Sequence, residues 1–93
     1  MDAHSKKILL IDDDEMILKS LKAVFILDGF EVITANNGNT GLVEALNNEP
    51  DLIITDIEMK DVDGIVILDE VRKSGLWGER VPIILLTNFD TNE

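Results

Sequence analysis

Ninety-three residues, 45% hydrophobic and 29% charged, suit one globular domain and exclude a disordered chain. A formal charge of −11 argues against direct nucleic acid binding and favours divalent cations or basic partner patches. There is no cysteine, hence no disulfide framework, and no apolar run approaches a signal-peptide core or a membrane span, so a cytoplasmic protein is expected.

The chain opens on a polar segment in which His4 is expected to fray and to have no ligand role. Lys6 and Lys7 read as a solvated strand start. Ile8-Leu9-Leu10-Ile11 predicts the first strand, its unbroken apolar run matching a parallel strand buried on both faces. It ends in Asp12-Asp13-Asp14-Glu15, acids that suit a helix N-terminus by capping free N–H groups and matching the dipole. Ile17, Leu21, Val24 and Phe25 then predict a helix from about Glu15 to Asp28, with Gly29 as its stop.

Phe30–Ala35 is β-prone and predicts strand two, and Asn36-Asn37-Gly38 signals a turn. Leu42, Ala45 and Leu46 mark a short second helix, halted by Pro50, whose ring restricts Glu49. Leu52-Ile53-Ile54-Thr55-Asp56 is a third apolar strand that again ends on an acid. In the following loop, Asp61 and Asp63 are expected to shape a turn and cap helix three, whose face is marked by Ile65, Leu68 and Val71. Ser74-Gly75 ends that helix, and Leu76–Arg80 reads as a connector in which Trp77 covers a core edge. Val81–Thr87 predicts strand four, with Pro82 tolerated at its start, and Asn88–Glu93 is a polar tail.

A β-α-β-α-β-α-β pattern implies an α/β fold: a doubly wound parallel sheet with right-handed crossovers and helices on its faces. One of the two common strand orders, 2-1-3-4-5, sets strands one and three side by side at the switch point, where ligands bind. Asp12, Asp13 and Asp56 then converge at one edge of the sheet. Clustered carboxylates raise one another's pKa or recruit a cation. An oxygen-only donor set without histidine or cysteine indicates a hard ion, Mg²⁺ or else Mn²⁺ or Ca²⁺. Thr87, ending strand four, brings a hydroxyl to the same face. An aspartate beside a bound Mg²⁺ and a hydroxyl donor is a suitable nucleophile toward a phosphoryl group.

These residues resemble the receiver domain of bacterial two-component response regulators, from about Lys7 to Asp90. The matching pieces are Ile8–Asp13, Pro50–Asp56, Asp63-Gly64 and Val81–Thr87, in order and correctly spaced. The resemblance implies a flavodoxin-like fold and a signalling module rather than an enzyme. It implies that Asp56 accepts a phosphoryl group from a histidine kinase or phosphotransfer protein. It implies that Asp13, Asp56 and the backbone carbonyl of Glu58 ligate Mg²⁺, that Asp12 supports the ion largely through water, and that Thr87 contacts the phosphoryl group and couples it to a switch.

Three departures from the family pattern stand out. Lys60 occupies a position where proline is usual, which puts the rigidity of that loop in doubt. Asn88 occupies the place of a small residue. The family's fifth strand, with its lysine, and the last helices have no counterpart before Glu93, so residues 1–93 are read as a receiver domain incomplete at its C-terminus. Strand four would then be an open edge, and self-association through it is expected.

Two other readings stand beside this one. A degenerate pseudo-receiver would use its surface without phosphate. A haloacid-dehalogenase-like phosphatase fragment would use Asp12 as nucleophile and Asp14 as acid/base, leaving Asp56 without a task.

Overall fold

The computed structural model describes residues 5–87. His4 and the Asn88–Glu93 tail, including the Asn88 departure, lie outside the described residues. The elements are β1 (Lys7–Ile11), α1 (Glu15–Leu27), β2 (Glu31–Ala35), α2 (Gly38–Asn48), β3 (Leu52–Asp56), α3 (Gly64–Arg72), α4 (Leu76–Arg80) and β4 (Ile83–Leu86). They form one parallel sheet in the order β2-β1-β3-β4, the expected order over the strands present.

The continuous apolar runs arise because each central strand feeds two cores. Leu9, Ile11 and Ile53 point to the side covered by α2 and α3, where they meet Ala45, Ile67 and Val71. Ile8, Leu10 and Ile54 point to the opposite side and meet Leu18 of α1. Burial on both faces leaves no polar position inside β1 or β3 except Thr55, whose hydroxyl donates to the Asp56 carbonyl at 3.0 Å.

Helix boundaries follow their caps. Asp14 starts α1 by accepting from the N–H groups of Met16 (2.9 Å) and Ile17 (3.4 Å). Asn37 starts α2 by accepting from Thr40 N–H (2.8 Å), and Asp63 starts α3 by accepting from Val66 N–H (3.0 Å). Gly29, at φ +92°, supplies the left-handed turn that ends α1. Glu49 ends α2 in the same region, at φ 45°, because the following Pro50 closes the right-handed helical region to it.

Five details differ from the sequence reading. The connector Leu76–Arg80 is itself a short helix, α4; it packs through Gly78 against α3, and Arg72 donates to the carbonyls of Gly78 (2.8 Å) and Val81 (2.7 Å). In α3 the buried residues are Ile67 and Val71, four apart, and Ile65 faces outward. In α1 the single buried residue is Leu18, with Leu21 and Phe25 partly covered, whereas Ile17 is 40% exposed and Val24 56% exposed. Helix α1 sits over β1 and β2, so its flank toward β4 is left facing an open groove. Lys7 is half-buried rather than solvated, its Nζ donating to the Asn48 carbonyl at 3.4 Å. Asp61 acts at α2 instead of α3, accepting from the N–H groups of Gly38 (2.9 Å) and Asn39 (2.8 Å).

Trp77 covers a core edge as expected, and its indole N–H donates to the Pro50 carbonyl at 2.8 Å.

Candidate functional site

Parallel pairing brings the acids together. Ile11 of β1 lies opposite Thr55 of β3, so the next step along each strand places Asp12 and Asp56 side by side at the end of the sheet. Asp56 itself pairs with Leu86 of β4, and Thr87 follows at once. Asp12, Asp13, Asp14, Asp56, Thr87, Ile17 and Leu86 line one cavity of about 310 Å³ at the C-terminal rim of the sheet. Carboxylate oxygens of Asp12, Asp13 and Asp56 lie within 4.8 Å of one another.

The burial of the three differs. Asp12 is 5% exposed, Asp56 half-buried and Asp13 exposed. Burial pushes the Asp12 carboxyl above its ordinary range; the hydrogen bond from Asp14 N–H (2.9 Å) opposes this, and the charges of Asp13 and Asp14 add to it. Burial likewise raises Asp56, reinforced by the charge of Asp12, while the backbone N–H groups of Glu58 and Ile57 pull the other way. Among the described residues the only ion pair is Lys73 with Asp69 at 2.9 Å, on the surface of α3, so no described Lys or Arg is paired with this rim. An under-solvated set of oxygen donors without a cationic partner fits a hard divalent ion of the Mg²⁺ class.

The loop after β3 completes the site. It is closed at its base by Gly64 N–H donating to the Ile57 carbonyl (2.8 Å), and Ile57 N–H reaches the Leu86 carbonyl (3.0 Å). Met59 and Val62 tuck into the core beside α2. Asp12, Asp13, Asp56 and Thr87, expected from the sequence to converge, do so, and Glu58 lies two residues beyond Asp56 in this loop. Asp14 also lines the cavity, but its carboxylate is engaged in capping α1. Ile17 and Leu86, the apolar walls, were not legible beforehand, because only the register of α1 over the sheet turns them to the site.

Residues 8–93 match the family described as the response regulator receiver domain. The chain is 39% identical over 83 residues to the regulatory protein AtoC of Escherichia coli, covering 89% of this chain and 17% of that protein. It spans about a third of the length of several other curated relatives, which are named transcriptional regulators. Among solved structures, the chemotaxis protein CheY4 of Vibrio cholerae superposes with a TM-score of 0.86 at 28% identity, over 96% of this chain and 73% of that one. The response regulator TrrA of Thermotoga maritima, solved in complex with Mg²⁺–BeF, superposes with a TM-score of 0.81 at 37% identity, over 90% of this chain and 70% of that one.

Proposed function

The chain belongs to the response regulator receiver domain family and serves two-component signalling, and from that premise we propose that Asp56 is its phosphoacceptor, with a histidine kinase or phosphotransfer protein as donor. The observation that carries this reading is the convergence of the Asp12, Asp13 and Asp56 oxygens within 4.8 Å at the end of two adjacent strands. The Mg²⁺–BeF complex of the related TrrA supports a metal-dependent phosphoryl site here.

Asp56 reaches the rim from a buried strand, so its carboxylate is held in one place while one side stays open to the cavity. In transfer from phosphohistidine, a carboxylate oxygen of Asp56 attacks phosphorus in line, the P–N bond breaks, and the imidazole leaves with its electron pair. Thr87 is exposed on the same cavity, where its hydroxyl can donate to a phosphoryl oxygen and report its arrival to β4. Asp13, Asp56 and the Glu58 carbonyl would hold Mg²⁺, with Asp12 supporting it through water. A Mg²⁺ bound there would neutralise charge on the carboxylates and on the transferring phosphoryl oxygens. Asp14, engaged as the cap of α1, is poorly placed to act as the acid/base of a phosphatase.

Acetyl phosphate with Mg²⁺ tests the reading. Intact-mass spectrometry should show one added phosphoryl group on the chain and none on Asp56→Asn. Labelling that survives this change and disappears in Asp12→Asn would support the phosphatase reading instead.

A further inference from the structure

Gly38 and Asn39 carry the first two N–H groups of α2. Such N–H groups have no partner within their own helix. Asn37 satisfies the third, at Thr40. The first two are satisfied from across the fold, by both carboxylate oxygens of Asp61: Oδ1 to Gly38 N–H at 2.9 Å and Oδ2 to Asn39 N–H at 2.8 Å. These bonds to an ionised acceptor are of the stronger kind, and they hold the Asp61 carboxyl below its ordinary range. The approach is close enough that a Cβ on Gly38 would fall on the Val62 carbonyl oxygen. The loop is thus pinned twice, at its base by Gly64 to Ile57 and at its tip by Asp61 to α2. Between the pins lie Glu58, Met59 and Lys60.

We propose that Asp61 is a positioning residue for the metal and phosphoryl site: by bridging the N-terminus of α2 it fixes the loop that presents Glu58. The inference rests on the proposed function above, since it assigns the loop a duty there. It also answers what makes this loop rigid when Lys60 stands where a proline would restrict the backbone. Two hydrogen bonds to a neighbouring helix limit the loop from outside, where proline would limit it from within. Met59 and Val62 add apolar anchorage, so losing the clamp should loosen the loop without releasing it from the core. Partners that orient metal ligands are commonly worth ten-fold or more in metal affinity.

The test uses the 93-residue chain and Mg²⁺ alone as probe, with affinity measured by calorimetric titration and the melting temperature recorded without metal. Asp61→Ala should weaken Mg²⁺ binding about ten-fold. Asp61→Asn, which keeps one acceptor oxygen and places an amide donor against the second N–H, should fall between. Asn37→Ala removes a cap from the same helix without touching the loop; it should lower the melting temperature and leave Mg²⁺ affinity unchanged. If Asp61→Ala and Asn37→Ala shift Mg²⁺ affinity equally, or if Asp61→Ala leaves it unchanged, Asp61 is only a helix cap and the proposal is overturned. Should Asp61→Ala lack a cooperative transition, Asp61→Asn decides by the same criterion, and failure of both to fold would also make the residue purely structural. Asp13→Asn separates the two readings: if it too leaves Mg²⁺ affinity intact, the metal site itself is misassigned, whereas a loss in Asp13→Asn alone refutes only the role of Asp61.

Discussion

β3 and β4 are adjacent in the sheet and almost equally apolar, Leu52-Ile53-Ile54 against Ile83-Ile84-Leu85-Leu86, yet they meet opposite fates. In β3 the central residues are buried by helices on both faces. In β4 none is fully buried, and Ile84 is 46% exposed. Ile83 joins the core beneath α3 and α4, but on the other face α1 does not reach across, and an open apolar groove runs between Met16, Ile17, Ser20, Leu21 and Leu86. Apolar composition selects a strand; its place in the sheet decides how much water it loses. The same contrast separates the two ends of β3, since Leu52 opens into the fold and Asp56 emerges at a rim whose charges the fold only partly solvates.

The largest separation between the two strands should come from truncation. Ile53→Ala removes a fully buried side chain and should cost about 2–5 kcal/mol, whereas Ile84→Ala should cost under about 1 kcal/mol. Denaturant unfolding of both variants measures the difference, and equal costs would mean that β4 is as well covered as β3.

Metal should act on the β3 end and leave the β4 end untouched. Mg²⁺ at a hundred times its dissociation constant should stabilise the chain by about 2.7 kcal/mol through mass action. Asp13→Asn should remove most of that gain, and Ile84→Lys none of it. Thermal melts with and without Mg²⁺ check this; an equal gain in Asp13→Asn would indicate diffuse screening of the −11 charge.

A smaller effect is expected in association. Among the described residues β4 is an edge strand with nothing paired beyond it, a geometry that invites strand addition. The chain should self-associate weakly in sedimentation velocity over a concentration series, and Ile84→Lys should return it to the monomer. A monomer at all concentrations, unaffected by the substitution, would show that the charge of the chain already protects the edge.

The smallest effect concerns the strain of the acidic rim itself. Asp56 is held above its ordinary range chiefly by burial, with the charge of Asp12 adding to it. An unfolded chain releases such a proton near about pH 3.9, the folded chain only at higher pH. Between these values the folded state binds more protons, so this group makes stability fall as pH rises through the window. Without metal, Asp56→Asn should therefore melt above the unmodified chain at neutral pH, and the advantage should vanish below about pH 4. A constant advantage across that range would assign it to packing rather than charge.

Much of this was readable without coordinates. Apolar runs of three or four residues, two of them leading to acids and separated by capped helical stretches, specify parallel strands, and one of the two common strand orders then brings Asp12, Asp13 and Asp56 together. Local signals suffice there because burial on both faces admits a polar residue only when it is hydrogen-bonded, as Thr55 is, and because caps act within a turn of chain. What required the tertiary structure was every feature set by a neighbour distant in sequence. Which flank of α1 is covered depends on where it sits over the sheet, so Ile17 and Val24 share the periodicity of Leu21 and Phe25 but are more exposed. Leu76–Arg80 is helical partly because α3 packs against Gly78 and Arg72 ties down the carbonyls at its end. Asp61 reads as a turn former beside α3, and only the packing of its loop against α2 brings its two oxygens to Gly38 and Asn39. A carboxylate bonds whichever N–H groups the fold leaves unpaired nearby, and chain order does not say which those are.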